Sequence, residues 1–216
     1  MTSSPATVRI WDRFVRLFHW TLAVGFFVAY FTEGEGDVEL IHVWAGYLVG
    51  ALILLRIVWG FVGPTHARFA DFITGPGTGL RYLLALAAFR AKRHLGHSPA
   101  GGWMVLMLMA GVLATVAAGM ANYGERGHGP LAPLFAGAAA MPLTASAALV
   151  PEARADDDES PGPGTGRRRS AFKEIHELLA TIVLILVLLH VAGVVLASVV
   201  HRENLVRAMI TGRKRP

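Results

Sequence analysis

The stretch "KEIHELLATIVLILVLLHVAGVVLASVVH", Lys173 to His201, decides the fold class. Its stretch from Leu178 to Val200 carries no Asp, Glu, Lys or Arg. A helix needs about 20 mostly apolar residues to cross the hydrocarbon core of a bilayer, and this run supplies them. Yet His176 stands near its start, His190 in its middle and His201 at its end. An ionisable side chain at membrane depth is a functional candidate by default.

Three further runs read the same way: Leu17 to Phe31, Ile41 to Val62 and Trp103 to Met120. Hydrophobic residues make up 54% of the 216 and charged residues 16%, with a mean hydropathy of +0.49. That balance belongs to a membrane protein. We expect one all-α integral membrane domain, a four-helix bundle with spans at about 14–32, 41–62, 101–122 and 174–200 and a long outer loop over 123–172. A fifth apolar stretch, Leu134 to Val150, is alanine-rich and interrupted by Pro142. It reads as part of that loop; a fifth crossing would put the termini on opposite sides.

The start, "MTSSPATVRIWD", lacks the charged beginning and small-residue cleavage site of a signal peptide, so the first span is expected to be retained. There is no cysteine. Disulfides, covalent c-type haem attachment and cysteine-ligated iron–sulfur clusters are thereby excluded.

Basic residues near span ends mark the cytoplasmic side. Arg9, Arg13 and Arg16 precede the first span; Arg68, Arg81, Arg90, Lys92 and Arg93 separate the second and third; Arg202, Arg207, Arg213, Lys214 and Arg215 follow the fourth. The connection between the first two spans carries Glu33, Glu35, Asp37 and Glu39 and no basic residue. Both termini are therefore expected in the cytoplasm. Arg167 to Arg169 fall on the other side, in a long loop shared with "ADDDESPGPGTG", where the charge rule weakens. The Asp, Pro and Gly content reads as an exposed, flexible segment. The N-terminal arginines, interleaved with Val8, Trp11, Phe14, Val15 and Phe18, read either as an amphipathic lead-in on anionic lipid headgroups or as a solvated helix start. The net charge of +5 and pI near 10.1 are explained by this membrane face, and no nucleic-acid partner is expected.

His176 and His190 are fourteen residues apart. On a helix that leaves them within roughly 40° of one face and about 21 Å apart along the axis. His19 lies near the cytoplasmic start of the first span and His42 at the outer start of the second. Matching depths pairs His42 with His176 outside and His19 with His190 inside. Two imidazole pairs, each drawn from two helices, suit two six-coordinate b-type haems stacked across the bilayer. The inner match is uneven, because His19 is three residues from Arg16 and His190 twelve from Arg202.

Arg56 interrupts the second span on nearly the same face as His42. It reads as a partner for a haem propionate or as a cation snorkelling to the headgroups. Gly25, Gly46, Gly50 and Gly193 lie near the candidate ligands and suit a flat ligand or plain helix packing. His201, beside Arg202 and Glu203, reads as a solvated interfacial residue. His66, His94, His97 and His128 fall in loops and are assigned no ligand role.

The motifs "WDRFVRLFHW", "IHVWAGYLVGALILLRIVWGFVG", "HARFADF", "LGHSPAGGWMVL", "GPLA", "IHELLATIVLILVLLHVAGV" and "HRENLVRAMITGRKR" occur in this order over most of the chain. With them the chain resembles the bacterial cytochrome b561 family, which includes the cytochrome b subunits associated with nickel-iron hydrogenases. The resemblance implies an integral four-helix protein of the bacterial inner membrane, with two haem b groups on His19, His42, His176 and His190. It also implies respiratory electron transport between the quinone pool and a redox partner such as a hydrogenase or a soluble cytochrome. One variant within the family would be an oxidoreductase passing electrons from superoxide to quinone. The segment Leu134 to Ser170 departs from the pattern, being longer and richer in Ala, Pro and Gly.

Six-coordinate iron leaves no position for oxygen, so oxygenase and peroxidase activity and a stable carbon monoxide complex are not expected. A metal-ion or proton transporter would use the same histidines, but carriers of that kind add carboxylates at membrane depth. Glu174 and Glu177 flank His176 only at the boundary, and no Asp or Glu lies inside the apolar runs Leu17 to Phe31, Ile41 to Val62, Trp103 to Met120 and Leu178 to Val200. A purely structural anchor would leave four histidines unexplained.

Overall fold

The computed structural model describes residues 7–34, 37–139 and 170–216. In chain order the elements are β1 (Val8–Arg9), α1 (Arg13–Phe31), α2 (Asp37–Val62), a 3-10 turn (Thr65–Ala67), α3 (Phe69–Phe72), α4 (Pro76–Ala87), α5 (Pro99–Glu125), α6 (Ala132–Ala139), α7 (Ala171–Val200), α8 (Leu205–Thr211) and β2 (Arg213–Lys214). Helix dominates, and α1, α2, α5 and α7 are each long and apolar enough to cross a membrane. In lipid a helix satisfies its backbone polar groups internally, which is why runs of this length settle as helices. The first six residues, Glu35, the Ala140 to Val150 part of the fifth apolar stretch, the acidic segment and Arg167 to Arg169 lie outside the described residues.

The chain divides into two compact units, one of residues up to Val116 together with Leu179–Pro216, the other Ala117–Leu178. In the first unit the four long helices share one apolar core. Phe18 comes from α1, Val49 and Ile53 from α2, Met109 and Val112 from α5, and Val183 from α7. Lipid tails are as apolar as these side chains, so close packing rather than hydrophobic transfer holds such helices together. The approach of α5 to α7 is one example: a Cβ on Gly111 would lie 2.9 Å from Val183 Cγ2.

One end of this unit is closed by its terminal segments. β1 pairs antiparallel with β2, Val8 opposite Lys214 and Arg9 opposite Arg213. Asp12 caps α1, one carboxylate oxygen accepting from the Val15 N–H at 2.9 Å and the other from Trp59 Nε1 at 3.2 Å. Asn204 caps α8 by accepting from the Arg207 N–H at 2.7 Å. Gly212 ends α8 at φ 76°, a left-handed conformation that favours glycine. Ile10, Trp11, Val15 and Ala67 form a second small core beneath these contacts. Arg93 holds Glu203 through two hydrogen bonds of 3.2 and 3.1 Å and also donates to the Pro216 carbonyl.

In the second unit the end of α5 meets α6 and the start of α7. Phe135 packs edge-on against Phe172 at 5.9 Å, and the Ser170 hydroxyl donates to Glu125.

Candidate functional site

Within the first unit His19 on α1 and His190 on α7 come together, their ring centroids 6.3 Å apart with the planes inclined by 54°. Two imidazoles on opposite sides of one metal ion, each with a metal–nitrogen distance of about 2 Å, put their centroids roughly 6 Å apart. The pair has the separation that one shared ion requires. His19 Nδ1 is buried without a hydrogen-bond partner. The uneven depths read from the flanking arginines are accommodated because α7 continues for ten residues beyond His190, to Val200.

His42 also lies in the first unit, where its Nδ1 is 2.8 Å from the Ala29 carbonyl of α1. A carbonyl can only accept, so Nδ1 carries the proton and Nε2 is the unprotonated ring nitrogen. That is how protein imidazoles are oriented as metal ligands. His176 belongs to the second unit, where its ring lies against α5: a Cβ on Gly119 would meet His176 Cε1 and Nδ1 at 2.9 Å each. Sequence reasoning passed over Gly119 because a glycine in an apolar helix looks like any other packing site.

Arg56 is 2% exposed and does not snorkel. Nη2 donates to the Ala67 carbonyl at 3.0 Å, the guanidinium carbon lies 5.4 Å from the centre of the Phe69 ring, and Nη1 is buried without a partner. Arg16 Nε, one turn before His19, is likewise buried and unpartnered. Of the glycines near the candidate ligands, Gly25 packs against Val49 and Gly50 against Val116, whereas Gly46 and Gly193 face open space.

His201 is half-buried rather than simply solvated, with Nε2 at 3.1 Å from the Tyr82 hydroxyl. His97, in the connection before α5, is enclosed by Trp11 and Phe72, with ring centroids at 4.6 and 4.4 Å. Its Nδ1 is buried without a partner. Among the described residues no three of His, Cys, Asp and Glu gather as ligands for a bare metal ion. Two imidazoles suffice where the other four positions come from a porphyrin; structural zinc sites, by contrast, take four protein ligands.

A family model described as prokaryotic cytochrome b561 matches residues 10–212. The chain is similar to a probable Ni/Fe-hydrogenase B-type cytochrome subunit of Rhizobium leguminosarum bv. viciae, 29% identical over 146 residues that cover 55% of this chain. It spans 61% of that relative's length. No solved structure matches.

Proposed function

The chain belongs to the prokaryotic cytochrome b561 family, and on that premise we propose that it carries single electrons between a quinone pool and a redox protein through two b-type haems. The observation that carries the reading is the 6.3 Å separation of the His19 and His190 rings. These two side chains would hold the inner haem and His42 and His176 the outer one. Bound there, haem supplies one-electron exchange between ferric and ferrous iron.

The protein's part is to hold, orient and exclude. His19 and His190 would be the two side chains that hold the inner haem, and with both imidazoles engaged small ligands would find no vacancy. The bond from His42 Nδ1 to Ala29 fixes the tautomer that presents Nε2. Arg56, buried with one unpartnered nitrogen, suits a haem propionate. The apolar core around Phe18, Ile53 and Val183 keeps water away. The name of the Rhizobium relative favours a hydrogenase as partner. The pairing of β1 with β2 supports an even number of crossings, and the arginines around them support cytoplasmic termini in a bacterial inner membrane.

The test is a reduced-minus-oxidised absorption spectrum of the purified protein with haem counted per chain as pyridine haemochrome. Two b-type haems are expected, with one lost in His190→Ala and the other in His176→Ala. A haem-free protein overturns the proposal.

A further inference from the structure

His97 is a buried titratable side chain that electron transfer, as described, leaves without a task. Trp11 and Phe72 cover its ring. Phe72 in turn touches Phe69, at 5.8 Å between centroids, and Phe69 carries the Arg56 guanidinium over its face. One aromatic pair therefore links His97 to Arg56. Each of the two side chains holds a buried nitrogen with no hydrogen-bond partner, Nδ1 and Nη1. Arg56 has no carboxylate paired with it among the described residues; its hydrogen bond goes to the Ala67 carbonyl. Asp12, whose charge reaches Arg56, already serves the Val15 N–H and Trp59.

A buried cation with no carboxylate in direct contact, in a region that holds a second unpartnered nitrogen, is costly unless an acceptor of negative charge fills the gap. No described residue supplies that acceptor. Haem b carries two carboxylates, and His190, one of its proposed ligands, lies within electrostatic reach of His97.

We propose that His97 donates its Nδ1–H to the haem carboxylate received by Arg56, and so is a binding residue for the group held between His19 and His190. The inference rests on the haem reading above. The neutral imidazole is the form the surroundings favour. Arg56 from α2, Lys214 from β2, His66 from the 3-10 turn and His190 from α7 all oppose a further positive charge there, and His66 is itself paired with Asp71 at 3.0 Å.

The test uses the full-length haem-loaded protein and two variants. His97→Phe keeps a ring and removes the donor, whereas His97→Gln keeps a donor. The midpoint potential of the haem that His190→Ala abolishes is followed from pH 6 to pH 9. In the native protein and in His97→Gln it should change little with pH. In His97→Phe the carboxylate loses a donor, so its charge weighs more on the iron and the ferric form gains. The ferrous-to-ferric ratio at fixed ambient potential should fall roughly tenfold, about 59 mV, and the potential should become pH-dependent as the carboxylate titrates.

An unchanged midpoint at every pH in a His97→Phe protein that retains its haem overturns the inference and leaves the haem reading intact; water then fills the gap. His97→Gln behaving like His97→Phe overturns it equally, since packing alone would be at stake. Should His97→Phe fail to fold, the carboxylate bands of isotopically labelled haem in infrared redox difference spectra decide instead. They should shift between the native protein and His97→Gln, and identical bands overturn the inference. A native protein without haem removes the reading and the inference together.

Discussion

His97 lies in a connection without regular structure, yet Trp11 and Phe72 close over it. Burial, reinforced by the charges of Arg56, Lys214, His66 and His190, pushes its pKa from 6.5 down to about 3. Between those two values the unfolded chain binds a proton that the folded chain refuses, so folding loses stability as pH falls from 6.5 toward 3. Thermal unfolding of the haem-depleted protein in detergent should show this loss, and His97→Phe should flatten it; an undiminished slope in that variant would assign the effect to other groups. Gly119 governs a second histidine. A branched side chain there would strike the His176 ring, since its Cβ alone would lie 2.9 Å from Nδ1. We expect Gly119→Val to retain one haem per chain, the one on His19 and His190, and to lose the other. Two haems with an unaltered spectrum would show that the His176 ring can give way.

Among the elements, the long helices were legible because hydropathy is a local property, written into each run of about 20 residues. The histidine pair on α1 and α7 was legible for a related reason, since depth along a helix follows from residue count. What closes the end of the first unit was not. The bond from Arg16 to the Ile210 carbonyl joins residues 194 apart in sequence, and α8 and β2 are too short to carry a periodic signal. The burial of Arg56 and His97 depends on Phe69 and Phe72 of α3, a helix of four residues. The clamp between Arg93 and Glu203 belongs to this class of long-range contact. Burial alone would raise the Glu203 carboxyl, but the hydrogen bond and charge of Arg93, with Lys214 and the Arg215 N–H, hold it below its usual range. Its contribution is therefore present above 4.5, the ordinary value, and lost as pH falls through the depressed one. Arg93→Ala should cost about 2 kcal/mol and expose the segment after α8 to proteolysis first. Unchanged melting and unchanged cleavage would count the clamp as a solvated pair of little weight.

For the whole molecule, the antiparallel pairing of Val8–Arg9 with Arg213–Lys214 ties the beginning of the described chain to its end. Two segments that share hydrogen bonds lie on the same side of a membrane, so an even number of crossings must separate them. In the proposed orientation the arginines that surround the pair would place it in the cytoplasm, where basic residues near span ends tend to stay. The absence of cysteine makes this open to direct measurement, since any thiol introduced is the sole one present. In intact cells, Thr7→Cys and Arg215→Cys should resist a membrane-impermeant maleimide and react only after permeabilisation. Glu33→Cys, in the connection between α1 and α2, should react before it. Labelling of residue 7 but not residue 215 from outside would mean an odd number of crossings and would break the β1–β2 pair. Labelling of both from outside would keep the pair and invert the molecule, placing His19 and His190 near the outer face and reversing which haem meets which partner.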